Sequence, residues 1–209
     1  MNLDNKAVLR TRCKNIRSQL DISVLSQRIC NNVKKWVIYE NSKNILIFYP
    51  ICFEISLLEL LADNDRNFYF PCVVKDDLYV AKYDKNIGFA DGKFGIKEPL
   101  TPRLTNADFI DLALIPALAV DKKGYRLGYG KGFYDRFLAK YTKIVKAVPI
   151  CENLVFDDIP SEKHDIKTDY VITESGIIDF RYQIWGDLLF QHQLHRIPNI
   201  LRRIIKVLL

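Results

Sequence analysis

At 209 residues, 49% of them apolar and 27% charged, the chain has the balance of a folded globular protein rather than the polar, charge-dense composition that fails to collapse. The five cysteines, Cys13, Cys30, Cys52, Cys72 and Cys151, are odd in number, dispersed and never in a CxxC pair, which argues against a disulfide framework or a thiolate zinc site and for a reducing, cytoplasmic setting. The net charge of +6 is uneven, with 9 Lys/Arg against 3 Asp/Glu in residues 1–43, 17 against 21 in 44–179 and 5 against 1 in 180–209, a distribution that suits a small polyanion held near a terminus at least as well as a duplex.

The N-terminal MNLDNKAVLR lacks an apolar run of the secretory type, and no stretch reaches the ~18 apolar residues of a membrane span. From Asp4 or Asn5, either able to cap a helix, Leu9, Cys13, Ile16 and Leu20 recur at helical spacing. Lys6 and Arg10, four apart, share one face, with Arg17 close to it; the plain reading is a solvated basic edge. A second helix follows Ser23, with Leu25, Ile29, Val33 and Trp36 inward. NILIFYP (44–50) is a buried strand closed by Pro50, and Glu54 to Leu61 has helical spacing. NFYFPCVV (67–74) and LYVAKYD (78–84) are strands, and 85–106, rich in Gly and Pro, is a long loop of the kind that often carries function. DLALIPALAV (111–120) has the continuous apolar run of a strand covered on both faces. A turn at Lys123-Gly124, a helix from Phe133 to Tyr141, and strands at 143–151 and 170–173 complete an alternating pattern that predicts a three-layer α/β fold.

The most informative segment is Arg126-Leu-Gly-Tyr-Gly-Lys-Gly-Phe-Tyr-Asp135, between a buried strand and a helix. Gly128, Gly130 and Gly132 let backbone N–H groups approach an anion, and the helix behind them presents its positive dipole end. A glycine-rich loop alone is weak evidence, because turns use glycine for steric reasons. Arg126 and Lys131 add cations for phosphate oxygens, and Asp135 adds a hard carboxylate of the type Mg²⁺ takes beside a nucleotide. The spacing is neither that of a Walker A loop nor that of a dinucleotide fingerprint.

Ile115-Pro116, followed by Asp121-Lys-Lys-Gly-Tyr-Arg-Leu-Gly-Tyr-Gly-Lys-Gly-Phe-Tyr-Asp-Arg-Phe-Leu138, resembles the signature of the 5-formyltetrahydrofolate cyclo-ligase (methenyltetrahydrofolate synthetase) family. Lys6-x-x-x-Arg10, FYPICFEI (48–55), FGIKEP (94–99) and HDIKTDYVIT (164–173) resemble further family segments in the same order, so the likeness spans roughly residues 5–175. It implies a Rossmann-like α/β/α sandwich with a mostly parallel or mixed sheet, and ATP- and Mg²⁺-dependent closure of 5-formyltetrahydrofolate to the 5,10-methenyl form through a phosphorylated formyl group. Carried over by position, Lys6, Arg10, Arg126, Leu127, Gly128, Tyr129, Gly130, Lys131, Gly132, Phe133 and Tyr134 would hold ATP. Tyr49, Glu54, Tyr129, Lys131 and Phe133 would contact the folate, and Lys131 and Arg10 would stabilise the transferring phosphoryl group. Asp135 would bind Mg²⁺, with Glu162 as a second carboxylate. Against this stand plainer readings: Glu54 as a first-turn helix carboxylate, Phe133 and Tyr134 as core, and His164 as structural, since it has no second His or Cys at metal spacing.

Ala119-Val120 and Asn153 depart from the family pattern. Residues 1–178 are expected to form the catalytic domain, and 179–209 an extension outside the likeness. After Pro198, Ile200, Leu201, Ile204, Ile205 and Leu208 oppose Arg202, Arg203 and Lys206, as in an amphipathic helix that packs on the domain, on another subunit or on an anionic membrane surface. Two alternatives stay open from the residues alone. One is a catalytically degenerate relative that binds folate or nucleotide. The other is a basic nucleic-acid-binding module, which the acidic centre and the lack of a base-reading motif oppose.

Overall fold

The protein is described from a computed structural model over residues 5–92, 96–100 and 102–181. The chain divides into two units, residues 1–178 and 179–209. The helix expected after Pro198 lies outside the described residues, as do Phe94 and Gly95 of the FGIKEP segment.

Helix α1 (Lys6–Ser18) starts at Asn5, whose side-chain oxygen accepts the Ala7 N–H at 2.8 Å. Helix α2 (Ile22–Lys34) is capped by Asp21 through the Val24 N–H at 3.1 Å, so it begins one residue before Ser23. A carboxylate there satisfies an otherwise orphaned amide and complements the helix dipole. A short helix, α3 (Val37–Asn41), follows, with Trp36 just ahead of it set edge-on to Tyr170 at 4.7 Å.

The strands are β1 (Asn44–Leu46), β2 (Asn67–Val74), β3 (Asp77–Lys82), β4 (Phe89–Asp91), β5 (Lys97–Pro99), β6 (Leu104–Thr105), β7 (Leu112–Leu114), β8 (Ala119–Asp121), β9 (Arg126–Leu127), β10 (Val145–Pro149), β11 (Val155–Phe156), β12 (Tyr170–Ile172) and β13 (Ile177–Asp179), with helix α4 (Phe133–Lys140) between β9 and β10. Eight strands form the main sheet in the order β13-β12-β10-β7-β1-β2-β3-β6. Pairing is parallel from β12 through β2 and antiparallel at β2–β3 and β3–β6. Ile45, Ile47, Phe68, Phe70, Leu112, Leu114, Tyr170 and Ile172 pack with Ile29 and Val33 of α2 and with Trp36 and Tyr39. Their neighbours Leu46, Ala113, Val148 and Val171, which point the other way in a pleated strand, are fully buried too. Both sheet faces are therefore covered, as the three-layer α/β pattern requires.

Three sequence expectations change. Glu54 to Leu61 is not an α-helix; only a 3₁₀ turn, Leu58–Ala62, forms. Ile55 and Leu57 are both buried, and residues two apart reach one core from an extended chain but not from a helix. The run 111–120 divides into β7 and β8, which lie in different sheets. Pro116, which has no N–H for the ladder and restricts the residue before it, falls at the break. Within 85–106, β4 and β5 form a hairpin and β6 edges the main sheet. All five cysteines are free, and burial pushes Cys30 and Cys72 up to about 12, leaving them as packing residues.

The chain leaves β1 for β2 on one side and later returns to pair β7 on the other. Crevices beyond the carboxyl ends of strands at such a reversal are where open α/β sheets bind ligands.

Candidate active site

A cavity of about 870 Å³ opens at that reversal. Its walls are the segment after β1 (Phe48, Tyr49, Ile51, Glu54), the end of β2 (Pro71, Val73), Pro116 after β7, one edge of α1 (Lys6, Arg10), and the continuous run Arg126 to Arg136. Glu162, His164 and Asp165 close one side. Every residue singled out in the sequence as a candidate site residue lines this one space.

The glycine loop is presented by the β8–β9 hairpin. Asp121, fully buried, holds that turn by accepting the Lys123 and Tyr125 N–H groups, each at 2.9 Å, and the Ile159 N–H at 3.3 Å. Leu127 is a buried member of the hairpin whose carbonyl accepts the Leu118 N–H at 2.7 Å, so its share in the cavity wall comes with a structural duty. Gly130 has φ +98° and Gly132 φ +66°, a region that favours glycine. A Cβ on Gly130 would lie 3.2 Å from the Arg10 guanidinium carbon, so the glycine also makes room for that cation. Gly132 then starts α4, whose first turn carries Phe133, Tyr134 and Asp135.

The cations are held in different ways. Arg10 donates from Nε to the Gly128 carbonyl at 2.9 Å, tying α1 to the loop. Arg126 is buried and pairs through Nη2 with Asp135 Oδ1 at 2.8 Å. Burial pulls its guanidinium down, with the Asp135 charge opposing, and its buried Nε has no hydrogen-bond partner among the described residues. A buried donor left unpaired costs about 1–3 kcal/mol, so an anion or water that reached it would be favoured. Lys6 sits between Glu162 at 2.7 Å and Asp165 at 2.8 Å. Burial alone would lower Lys6, but the two carboxylates outweigh it and raise it above its ordinary value. Lys131 is exposed at the loop tip, and its carbonyl accepts from Arg136 at 3.1 Å.

Away from the glycines the cavity is aromatic and acidic. Tyr49 packs edge-on to Phe89 at 5.0 Å. Glu54 is only 5% exposed; its Oε1 accepts the Tyr129 hydroxyl at 2.6 Å and its Oε2 the Ile51 N–H at 2.9 Å. Burial raises the Glu54 carboxyl, and those two donors together with Arg17 oppose the rise. Glu54 is thus a wired side chain in a turn, replacing its plainer reading as a helix-start carboxylate.

A profile describing the 5-formyltetrahydrofolate cyclo-ligase family matches residues 2–174. The chain belongs to that family. Among similar proteins, a 5-formyltetrahydrofolate cyclo-ligase of Mycolicibacterium smegmatis is 40% identical over 155 residues, covering 68% of this chain and 79% of the relative. One from Haemophilus influenzae is 27% identical over 182 residues, 79% of this chain and 96% of the relative. The solution structure of Aquifex aeolicus 5,10-methenyltetrahydrofolate synthetase superposes with a TM-score of 0.76 at 29% identity, covering 84% of this chain and 93% of that one. Membership in this family of ligases explains why segments dispersed from Lys6 to Thr173 converge on one cavity. Among the described residues no helix is long and apolar enough to cross a membrane.

The cyclo-ligase fold also brings in residues that sequence reading passed over. Asp165, next to His164, accepts from Lys6 and from the Glu162 N–H at 2.7 Å. Arg136 donates to the Asp76 carbonyl at 2.9 Å and lies over the Phe133 ring at 5.1 Å, bracing the loop against the β2–β3 turn. Arg17, taken for part of a solvated edge, is 5% exposed. His164 is 71% exposed at the cavity edge, its Nε2 3.6 Å from Glu162 Oε2.

For Mg²⁺ the relevant group is Asp135. Its Oδ1 is taken by Arg126 and by the Ile166 N–H at 3.2 Å, whereas Oδ2 accepts no hydrogen bond from the described residues. No three or more His, Cys, Asp or Glu side chains gather at metal spacing among the described residues. A single open carboxylate oxygen beside cations suited to phosphate oxygens still fits Mg²⁺, which keeps waters and takes substrate phosphates for most of its shell. Glu162, held by Lys6, fits less directly.

Proposed function

We propose that this chain converts 5-formyltetrahydrofolate and ATP into 5,10-methenyltetrahydrofolate, ADP and phosphate, with residues 1–178 as the catalytic unit. The observation that carries this reading is the division of one cavity into a glycine-and-cation end and an acidic, aromatic end, which meets the opposite demands of a triphosphate and a reduced pterin. The positive charge lies in residues 1–43 and 180–209, and Lys6 and Arg10 of the first stretch line the cavity, which favours a small anion over a duplex.

The formyl oxygen of an amide is a poor leaving group. Transfer of the γ-phosphoryl group to it, with ADP departing, creates a carbon that N10 can attack. That attack closes the five-membered ring, and departure of phosphate together with loss of the N10 proton leaves the amidinium of the methenyl product. Phosphoryl transfer asks a protein mainly for positioning and charge neutralisation. The amides of Gly128 to Gly132, with Arg10, Arg126 and Lys131, would bind the phosphates, and Arg10 and Lys131 would meet the charge that develops in transfer. Lys6 would exchange its carboxylate partners for a phosphate oxygen. Asp135 Oδ2 would hold Mg²⁺, which neutralises phosphate charge when bound. Glu54 would accept hydrogen bonds from N–H groups of the pterin, with Tyr49, Tyr129 and Phe133 against its ring.

The deciding experiment follows methenyltetrahydrofolate absorbance with purified protein, 5-formyltetrahydrofolate and Mg²⁺, with and without ATP. Product only with ATP is expected. No product in either arm, alongside measurable folate binding, would favour the degenerate relative instead.

A further inference from the structure

A buried arginine lies behind Glu54 and Tyr129 in the cavity wall, and neither its sequence context nor the phosphate chemistry calls for it. Arg17 is on the last turn of α1, eleven residues beyond Lys6. Leu9, Cys13 and Arg17 are the buried residues of that helix, so the cation occupies the core-facing stripe at i, i+4, i+8. A guanidinium in such a place requires partners. Nη2 donates to the Ala117 carbonyl, Nη1 donates to the Tyr129 hydroxyl at 3.2 Å, and Nη1 lies 3.9 Å from Glu54 Oε1. The Tyr129 hydroxyl in turn donates to Glu54 Oε1 at 2.6 Å.

These contacts reach three chain segments that meet at the sheet reversal: the turn after β1 that carries Glu54, the break after β7 at Pro116–Ala117, and the glycine loop through Tyr129. We infer that Arg17 is a positioning residue that fixes the Tyr129 hydroxyl and the Glu54 carboxylate as one hydrogen-bonded relay, setting how the pterin end of the site presents its acceptor. The inference rests on the function proposed above and adds a residue to it. Arg17 does not line the cavity, so it acts on substrate only through Glu54 and Tyr129.

Two features favour this over a purely structural brace. A brace would be satisfied by the Ala117 carbonyl alone, whereas the second arm of the fork is directed at a hydroxyl that both accepts and donates. Second, Glu54 is desolvated, and desolvation drives a carboxyl toward its neutral form. The charged and titratable groups facing it are Arg17 from α1, Tyr129 from the glycine loop and Tyr134 from α4, and of these Arg17 is the cation. Without it the carboxyl would take up a proton more readily, exchanging an acceptor for a donor.

The test compares wild type, Arg17→Gln, Tyr129→Phe and the double variant, each checked for folding by thermal melting. Readouts are kcat/KM for 5-formyltetrahydrofolate and KM for ATP from about pH 5 to about pH 8, with folate Kd over the same range. Arg17→Gln is expected to lower folate kcat/KM by roughly tenfold, leave KM for ATP within about twofold, and move the acid limb up by about one pH unit, the smallest shift typical of losing an opposite charge at this distance. Tyr129→Phe, which removes one oxygen from a residue 37% exposed, should move the limb the same way, and the double variant should add little because both act through one carboxylate. An acid limb unmoved in both single variants overturns the inference, as does equal loss for ATP and folate. If wild type binds folate but turns nothing over, the proposed function fails, and the pH dependence of folate Kd in the same four proteins still decides the role of Arg17.

Discussion

At one end of the cavity an exposed and a half-buried lysine stand beside a buried arginine, and at the other the central carboxylate is itself buried. Lys6 rests on Glu162, more than half exposed, and on Asp165, contacts that a phosphate can replace. Lys131 stands exposed on a loop whose glycines carry positive φ on either side of it. Glu54, Tyr129 and Arg17 instead form a hydrogen-bonded network at the cavity wall, with Glu54 and Arg17 each 5% exposed. Both ends share one loop, Gly128 to Gly132, and α1 supplies Lys6 and Arg10 to the first end and Arg17 to the second. The contrast is what the proposed function asks for: reach where phosphate charge would be neutralised, and an acceptor of fixed direction where a heterocycle would be read.

The sharpest way to break this comparison is Lys131→Ala, expected to lower turnover by about 100-fold or more while folate Kd stays within about twofold, since a preorganised contact to the transferring phosphoryl group would be lost. Steady-state kinetics beside folate binding checks it; wild-type turnover in a folded variant removes Lys131 from the mechanism. Gly130→Ala should weaken nucleotide binding by roughly tenfold, because φ +98° is strained for alanine and the new methyl meets the Arg10 guanidinium at 3.2 Å. Calorimetric titration with an unreactive ATP analogue reads this directly, and unchanged affinity would show that Arg10 and the loop have room to spare. Asp135→Asn should raise the Mg²⁺ concentration for half-maximal rate several-fold, on the order of the 10-fold common for altered metal sites, with kcat at saturating metal less affected. A superimposable Mg²⁺ titration would place the ion elsewhere.

The smallest effect concerns Lys6. Burial would raise Asp165, but Lys6 and the Glu162 N–H outweigh it, and Lys6 holds Glu162 down as well, so both carboxyls lie below their ordinary values of 3.8 and 4.5. A depressed carboxyl contributes stability that is present above its unfolded value and lost as pH falls through its lower folded value. Lys6→Met should therefore flatten the acid side of a plot of melting temperature against pH, with little change near neutrality, because ion pairs open to solvent are screened and contribute little. An unchanged acid limb would mean that the pairs add nothing in solution.

Much of this was legible in the residues. The glycine loop with Arg126, Lys131 and Asp135 raises the expectation of an anion site, and the ordered likeness adds Lys6, Arg10, Tyr49, Glu54 and Glu162, all of which line one cavity. The alternating elements gave the layered α/β fold. What stayed hidden had physical causes. Arg17 follows Leu9 and Cys13 at intervals of four, so its burial could have been read from the stripe, but a charge is assigned to solvent by default and only tertiary partners overturn that. Glu54 to Leu61 shows helical spacing, yet the core wanted Ile55 and Leu57 together. Pro116 marked the break between β7 and β8 inside an apolar run that otherwise looked continuous. The pairing of Lys6 with Asp165, 159 positions apart, is beyond any local pattern.

The account depends on nucleotide and folate occupying opposite ends of one cavity, and calorimetry with an unreactive ATP analogue and Mg²⁺ on wild type, Lys131→Ala and Glu54→Gln addresses it most directly. One nucleotide per chain should bind to wild type, about tenfold more weakly to Lys131→Ala and within about twofold of wild type to Glu54→Gln, as expected if charge-assisted contacts at one end alone are lost. No binding to folded wild type, or equal losses in the two variants, would contradict it.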